Sequence, residues 1–357
     1  METAEIKPMV NQILLHISNT PIELEYFHRP AILQQSPQFY KQMMVGVFDR
    51  VFETAPVFRA EKHNTKRHLN EYTSLDFEMG YIDGFEDIMA METGFLQYTM
   101  ALLEKEYSRE LKILGVTLPK TDKIPCVRFD EAKKQVAEKY NREIRNPYDL
   151  EPEGEVLIGQ YYKEECDADF VFITHYPSKK RPFYAMDDPE DETYTLSFDL
   201  LYHGLEITTG GQRIHSYPEL LAKMEKRGMT EEGMEQYLSA FKHGMPPHGG
   251  LGIGMERLTM QLLGEENVRE TTLFPRDLSH RPLDYAPWDL SPLSHFRQDG
   301  SIDCRLHFRQ DLFRRSDHRY FRFFNSQSSR SNRHIFDHRN FLIQIRTRNH
   351  SHITNSQ

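Results

Sequence analysis

Four glycines crowd the stretch GGLGIGMERL, at Gly249, Gly250, Gly252 and Gly254, and an acid and an arginine, Glu256 and Arg257, follow at once. A backbone stripped of side chains at that density is brought close to something flat, highly charged or itself packed backbone. A dinucleotide fingerprint needs GxGxxG between the first strand and helix of a βαβ unit, with an acid about 20 residues on. Here the third glycine comes one residue early and the element lies late in the chain. The phosphate-loop pattern, GxxxxGK followed by Ser or Thr, is absent as well. Two readings remain: a tight strand packed under a helix, or a strand kept bare so that something flat or highly charged can lie against it, with Arg257 just beyond its last glycine.

Around this stretch the chain reads as short strands and long helices without regular βαβ alternation, an α+β pattern. Phe39, Met43, Val47 and Val51 step at helical spacing over residues 37–52. Ser36 is the expected cap there, with Pro37 near the helix entrance. Strands are expected at APVFRAE, LNEYTSLDFEMGY, IPCVRF, ADFVFIT, RPFYAM and TYTLSFDLL. A long helix is expected over 86–114, with Ile88, Met91, Phe95, Leu102 and Leu111 on one face. Asp130 would cap the helix EAKKQVAEKY, PELLAKMEKRG would form another, and Thr230 would cap a third.

Three further segments carry charge in patterns suited to chemistry. In FRAEKHNTKRHLNEYTSLDFEMG, strand alternation puts Arg59 and Glu61 on one face. It also puts Leu75, Phe77 and Met79 opposite Ser74, Asp76 and Glu78. Joined as a hairpin, these strands give an apolar underside and a charged top, with Lys62, His63, Lys66, Arg67 and His68 in the loop. Such a surface can hold a polyphosphate and an ammonium group together; it can equally be a solvated sheet with surface ion pairs. In LSFDLLYHGLEITTGGQRIH, Glu206 and Thr209 can both offer oxygen to a hard cation such as magnesium. They would face opposite ways in a regular strand, so sharing an ion needs a bend, which Gly210–Gly211 makes cheap. Arg213 follows with a fork suited to a carboxylate. In LQQSPQFYKQ, Gln38 and Lys41 can face one cleft.

Bulk properties narrow the setting. The 357 residues are enough for a large core, and no apolar run reaches the roughly 20 residues that span a bilayer. Without a signal pattern at the amino terminus, the expected compartment is the cytoplasm and no membrane partner is expected. Cys126, Cys166 and Cys304 have neither disulfide-framework nor metal-ligand spacing. A net charge of −10 argues against indiscriminate coating of nucleic acid but allows a local basic face that docks a folded RNA.

Together these segments resemble the catalytic domain of class II aminoacyl-tRNA synthetases, in particular aspartyl-tRNA synthetases of the archaeal and eukaryotic-like type. FRAE…RHLNEYTSLDFEM is similar to motif 2 and GLGIGMERL to motif 3. QSPQFYKQ is similar to the aspartate-recognition segment and GLEITTGGQRIH to the combined metal and substrate strand. The resemblance implies an antiparallel sheet flanked by helices, usually in a homodimer, that uses ATP to convert aspartate to an adenylate and passes it to tRNA(Asp). Whether tRNA(Asn) is a second acceptor is left open, and asparaginyl-tRNA synthetase and a non-catalytic RNA- or protein-binding module are the alternatives. Carried over, Arg59 holds the α-phosphate and the substrate carboxylate side of the adenylate, Glu61 contacts the adenine end, and Ala60, Arg67, His68 and Leu69 belong to the ATP site. Glu206 and Thr209 bind Mg2+. Gln38, Phe39, Tyr40 and Lys41, with Arg59, Thr209 and Arg213, read the aspartate. Arg257 meets the γ-phosphate, preceded by Gly254, Met255 and Glu256.

The resemblance covers residues 22–278. The family's anticodon-binding barrel and motif 1 are not recognisable before Ile22, so 1–21 is expected to be an unassigned remnant and the catalytic domain amino-terminally incomplete. From Ser279 onward there are thirteen Arg and seven Asp but no Lys or Glu, and HFRQDG and DHRYF recur as HFRQDL and DHRNF. Residues 279–357 are expected to be a poorly ordered or non-native tail, the alternative being an arginine-rich arm for RNA phosphates.

Overall fold

The dominant alternation along the chain is realised as a seven-stranded sheet. The computed structural model describes residues 22–61 and 64–278; the expectations for 1–21, for 279–357 and for Lys62 and His63 lie outside them. A hairpin of β1 (Glu23–Tyr26) and β2 (Arg29–Ile32) precedes the helix α1 (Gln38–Val45). The sheet follows, with β3 (Arg50–Phe58), β4 (Glu71–Gly80), β5 (Cys126–Arg128), β6 (Phe170–Thr174), β7 (Ser197–Tyr202), β8 (Leu205–Arg213) and β9 (His248–Gly254). Its order is β3-β4-β9-β8-β7-β6-β5, antiparallel throughout except for the parallel β5–β6 pair. The remaining helices are α2 (Glu86–Glu106), α3 (Ser108–Leu114), α4 (Phe129–Tyr140), α5 (Glu151–Cys166), α6 (Tyr217–Lys226), α7 (Glu235–Lys242) and α8 (Met255–Leu263). The expected α+β class and antiparallel sheet flanked by helices are what the chain forms. No helix among the described residues is long and apolar enough to cross a membrane.

One face of the sheet is apolar. Leu251 and Ile253 of β9, Phe198 and Leu200 of β7 and Ile207 of β8 pack with Ile88 and Leu96 of α2. The opposite face carries two further clusters. One joins α6 and α7 through Leu220, Met224, Tyr237 and Leu238; the other joins α4 and α5 through Val136 and Ile158. Between these clusters lies the polar middle of the upper face.

Several local expectations give way. The helix expected over 37–52 stops at Val45, and Val51 belongs to β3. Val47 is 72% exposed, because the face α1 turns inward is Gln38, Lys41, Gln42 and Val45 rather than the apolar stripe. Pro37, not Ser36, occupies the cap position, without a side-chain cap. The helix expected over 86–114 breaks at Tyr107. Asp130 lies inside the first turn of α4, whose cap position is Arg128, and α7 starts from Met234 instead of Thr230. RPFYAM forms only an isolated bridge, Ala185 to Arg213.

Candidate active site

The glycines of β9 alternate with its aliphatic residues, so Gly250, Gly252 and Gly254 face up while Leu251 and Ile253 face the core. In register they lie opposite Glu78, Asp76 and Ser74 of β4. A Cβ at Gly250 would stand 2.0 Å from Glu78 Oε2 and 2.2 Å from the Phe77 carbonyl oxygen. At Gly252 it would stand 3.0 Å from Asp76 Oδ1, and at Gly254 it would meet nothing nearer than Arg257 at 3.8 Å. The strand expected to lie bare against a nucleotide therefore makes room, at two of its glycines, for carboxylates of its own neighbour. Open space is left only at the Gly254 end.

Those carboxylates floor a pocket that holds two buried cations. The charged face of β4, which the sequence allowed to be solvated, is buried, and Glu78 is 0% exposed. Lys41 Nζ reaches Asp76 Oδ1 at 2.8 Å, the Leu251 carbonyl at 2.8 Å and Glu78 Oε2 at 3.3 Å. Arg213 Nε donates to Glu78 Oε1 at 3.1 Å and its Nη2 to the Gly250 carbonyl at 3.0 Å. Burial pushes the Glu78 carboxyl up, but Arg213 and Lys41 outweigh it and hold it below its ordinary range. Ser74 Oγ donates to Asp76 Oδ2 at 2.5 Å. Lys41 and Arg213, expected to read one substrate, are thus brought to one buried acidic floor. Phe39 packs partly into the α6–α7 cluster, and Tyr40 points outward, 63% exposed.

Two strands away, Glu206 and Thr209 do share one side, for a reason other than the expected one. Thr208 pairs with Leu200 and Glu206 with Leu201, so Ile207 is an extra residue, a bulge in β8. It turns Ile207 and Thr208 toward the core and leaves Glu206 and Thr209 together above it. The bend lies at Ile207, not at Gly210–Gly211. Thr209 Oγ1 donates to Glu206 Oε1 at 3.1 Å. Asp199 of β7 stands directly opposite Thr209 and pairs with Arg181 at 2.7 Å. Burial, with the charge of Glu206 added, pushes the Asp199 carboxyl up to about 6 against the pull of Arg181. Burial acts the same way on Glu206, but Arg257, Arg181 and Arg67 outweigh it and keep that carboxyl low. No group of three or more His, Cys, Asp or Glu among the described residues is arranged to hold a metal unaided. An ionised carboxylate beside a hydroxyl nevertheless fits Mg2+, which takes one or two protein carboxylates and completes its shell with water and phosphate oxygens.

The arginines surround this end. Arg257, in the first turn of α8, donates from Nη1 to the Glu206 carbonyl at 3.0 Å and lies 3.7 Å from its carboxylate; its Nε reaches the Arg67 carbonyl at 3.3 Å. Arg59 follows the last residue of β3, so it and Glu61 do not share a strand face as expected. Its guanidinium carbon lies 5.4 Å above the Tyr72 ring, and its Nε is 3.5 Å from the Gln35 carbonyl. Burial raises the pKa of Tyr72, while Arg59 and Arg257 both pull it down, so the two cations act on one place. Arg67 pairs with Glu155 at 2.6 Å. Burial and the nearby Glu206 charge push the Glu155 carboxyl up to about 7. Ala60 and Glu61 are half-buried next to Arg59, and His68 Nδ1 is 2.5 Å from Thr65 Oγ1. Two expected site residues are otherwise engaged. The Leu69 side chain packs with Leu205, Met260 and Val268, and the Glu256 carboxylate accepts from the Thr73 N–H at 2.9 and 3.0 Å. Met255, at the start of α8, is 37% exposed.

Asp199 and Glu155 have no counterpart among the residues expected from sequence. Asp199 reads as one polar position in an apolar strand. Glu155 lies on α5, whose Pro152, Gly154 and Gly159 look like helix breakers.

A family model described as "tRNA synthetases class II (D, K and N)" matches residues 13–278. Aspartate--tRNA(Asp/Asn) ligase of Aeropyrum pernix is 49% identical over 255 residues, 71% of this chain and 58% of that protein. Aspartate--tRNA(Asp) ligase of Pyrococcus furiosus is 44% identical over 256 residues, again 71% of this chain and 58% of the relative. The chain thus spans less than two thirds of the length of these curated relatives. Among solved structures, a putative aspartyl-tRNA synthetase from Leishmania major superposes with a TM-score of 0.65 at 31% identity, covering 78% of this chain and 64% of that one. Asparaginyl-tRNA synthetase from Pyrococcus horikoshii, complexed with asparaginyl-adenylate, superposes with a TM-score of 0.68 at 27% identity, covering 78% and 70%.

Proposed function

The chain belongs to the class II tRNA synthetases of the D, K and N group, and on that premise we propose that it activates L-aspartate with ATP and transfers it to the 3′ end of tRNA. An oxygen of the aspartate α-carboxylate attacks the α-phosphorus of ATP. The bond to the bridging oxygen breaks, and pyrophosphate leaves. Two anions meet in this step, so fixed cations lower the barrier rather than a general base. Arg59 lies at the approach to the α-phosphate and Arg257 at the far end of the triphosphate. Glu206 and Thr209 would hold Mg2+, which neutralises phosphate charge when bound. A ribose hydroxyl of the tRNA then attacks the adenylate carbonyl carbon, an ester forms and AMP leaves.

The observation that carries the choice of amino acid is the buried pair Lys41 and Arg213. Both are fixed in place by Asp76 and Glu78. Asp76 and Glu78 already balance both charges, so a substrate carboxylate is read by the Arg213 donors that Glu78 and the Gly250 carbonyl do not use. The amide NH2 of asparagine would set a donor against them, the kind of mismatch that gives large discrimination factors. ATP–pyrophosphate exchange with Mg2+ tests this. Exchange stimulated by aspartate and not by asparagine supports the assignment; stimulation by asparagine alone would overturn it. The acceptor is tRNA(Asp), with tRNA(Asn) a second candidate, since relatives of both specificities match. Val47, Phe52 and Tyr81, exposed on and around the edge strand β3, offer an apolar surface for a second copy. Sedimentation at graded concentration tests that pairing.

A further inference from the structure

Behind Lys41, the inward face of α1 carries two glutamines whose polarity is set from a distance. His248, the first residue of β9, is 0% exposed, and its Nδ1 lies 2.8 Å from the Pro246 carbonyl oxygen. A carbonyl only accepts, so Nδ1 bears the hydrogen. Burial depresses the imidazole to about 4, so the ring is neutral and Nε2 keeps its lone pair. That nitrogen is 2.9 Å from Gln42 Nε2, which therefore donates to it. The Gln42 carbonyl oxygen is turned the other way, where it accepts from the Tyr237 hydroxyl at 2.9 Å and from Gln38 Nε2 at 3.3 Å. Each bond in the series has one permitted direction. The amide nitrogen of Gln38 is thereby drawn to Gln42, and its carbonyl oxygen has no partner among the described residues.

We propose that His248, acting through Gln42, is a positioning residue that fixes the Gln38 amide with its carbonyl oxygen toward the amino-acid pocket, as an acceptor for the substrate ammonium group. Lys41, one turn along the same face of α1, stands beside it. The helix therefore presents a cation and a neutral acceptor side by side, one for an anionic group and one for an ammonium. With the opposite His248 tautomer, Nε2–H would face the Gln42 NH2. Relief by rotating the Gln42 amide would turn its NH2 toward Gln38 and leave a donor facing the ammonium.

The inference rests on an amino acid occupying this pocket, and the test separates the two claims. Two unreactive adenylate mimics are titrated into the full chain: 5′-O-sulfamoyl-adenosine carrying L-aspartate, and its counterpart carrying succinate, which lacks only the amino group. A hydrogen bond to an ammonium corresponds to roughly a 10- to 100-fold preference for the aspartyl form. In Gln42→Leu that preference collapses to about threefold through loss on the aspartyl mimic alone. Gln42→Glu, which still accepts from Gln38 and Tyr237, retains it. Nitrogen-15 NMR of the ligand-free protein should show His248 as the neutral Nδ1–H tautomer. Equal weakening of both mimics by Gln42→Leu, or an Nε2–H tautomer, overturns the positioning role alone. Failure of the wild-type protein to bind either mimic overturns the substrate assignment and the positioning role with it.

Discussion

Glu92 is the most exacting test of how this fold tolerates charge. It lies on the inward face of α2, between Ile88 and Leu96 and beneath the bulge in β8. Among the described residues neither of its carboxylate oxygens has a hydrogen-bond partner, nor does Thr208 Oγ1, whose hydroxyl leans toward it without closing a bond. Burial pushes the carboxyl up from its ordinary 4.5 to about 8, with the charge of Asp199 acting in the same direction. Between those values the folded chain holds a proton that the unfolded chain has released, so this group makes stability fall as pH rises from about 4.5 to about 8, and contributes no slope outside that window. At about 1.36 kcal/mol per unit, the full penalty is on the order of 5 kcal/mol, a large part of the roughly 5–15 kcal/mol of a typical domain. Glu92→Gln keeps the shape and removes the titration. Urea unfolding followed by circular dichroism should give wild type and variant within about 1 kcal/mol of each other at pH 4.5, and the variant about 2–5 kcal/mol more stable at pH 8.5. Parallel pH profiles for the two proteins would refute a protonated Glu92.

Arg257→Ala should lower kcat/KM for ATP by roughly 10²–10³ while aspartate KM stays within about threefold, measured by pyrophosphate exchange; equal losses for both substrates would make the arginine structural. Lys41→Met leaves the Asp76 and Glu78 carboxylates buried with one cation fewer. It should cost about 3–5 kcal/mol in denaturant unfolding and abolish aspartate-dependent exchange. Gly250→Ala drives a methyl into Glu78 and should lose more than about 3 kcal/mol, whereas Gly254→Ala, with nothing nearer than 3.8 Å, should fall within about 1 kcal/mol of wild type by the same assay.

Strands such as Phe170–Thr174 and Ser197–Tyr202 were readable because their residues are apolar and short-ranged in pattern. What stayed hidden follows from particular residues. Periodicity counts apolar positions, but α1 buries Gln38, Lys41 and Gln42, so apolar spacing carries the expected helix past its true end to Val47 and Val51. Gly159 does not break α5; a Cβ there would stand 2.4 Å from the Gly204 backbone, so the glycine lets helix and turn touch. Concealing α5 also concealed Glu155 and its hold on Arg67. The β8 bulge shows only once β7 is laid beside it, because nothing in GLEITTGG marks Ile207 as the extra residue. Arg59, Glu206, Arg213 and Arg257 can be singled out from sequence because they stand in motifs whose spacing survives without a fold. Their pairing is not legible there: Asp76 and Glu78 read only as one charged strand face and Asp199 as a lone polar position until the sheet fixes which neighbour each has.

The most direct measurement asks whether the site forms an adenylate and which one. The purified chain is mixed with ATP, Mg2+ and all twenty amino acids at equal concentration, and the adenylate retained on the protein is identified by mass spectrometry. The buried Lys41–Arg213 pocket predicts aspartyl-adenylate as the dominant species. Asparaginyl-adenylate as the dominant species, or no adenylate at all from folded protein, would contradict it.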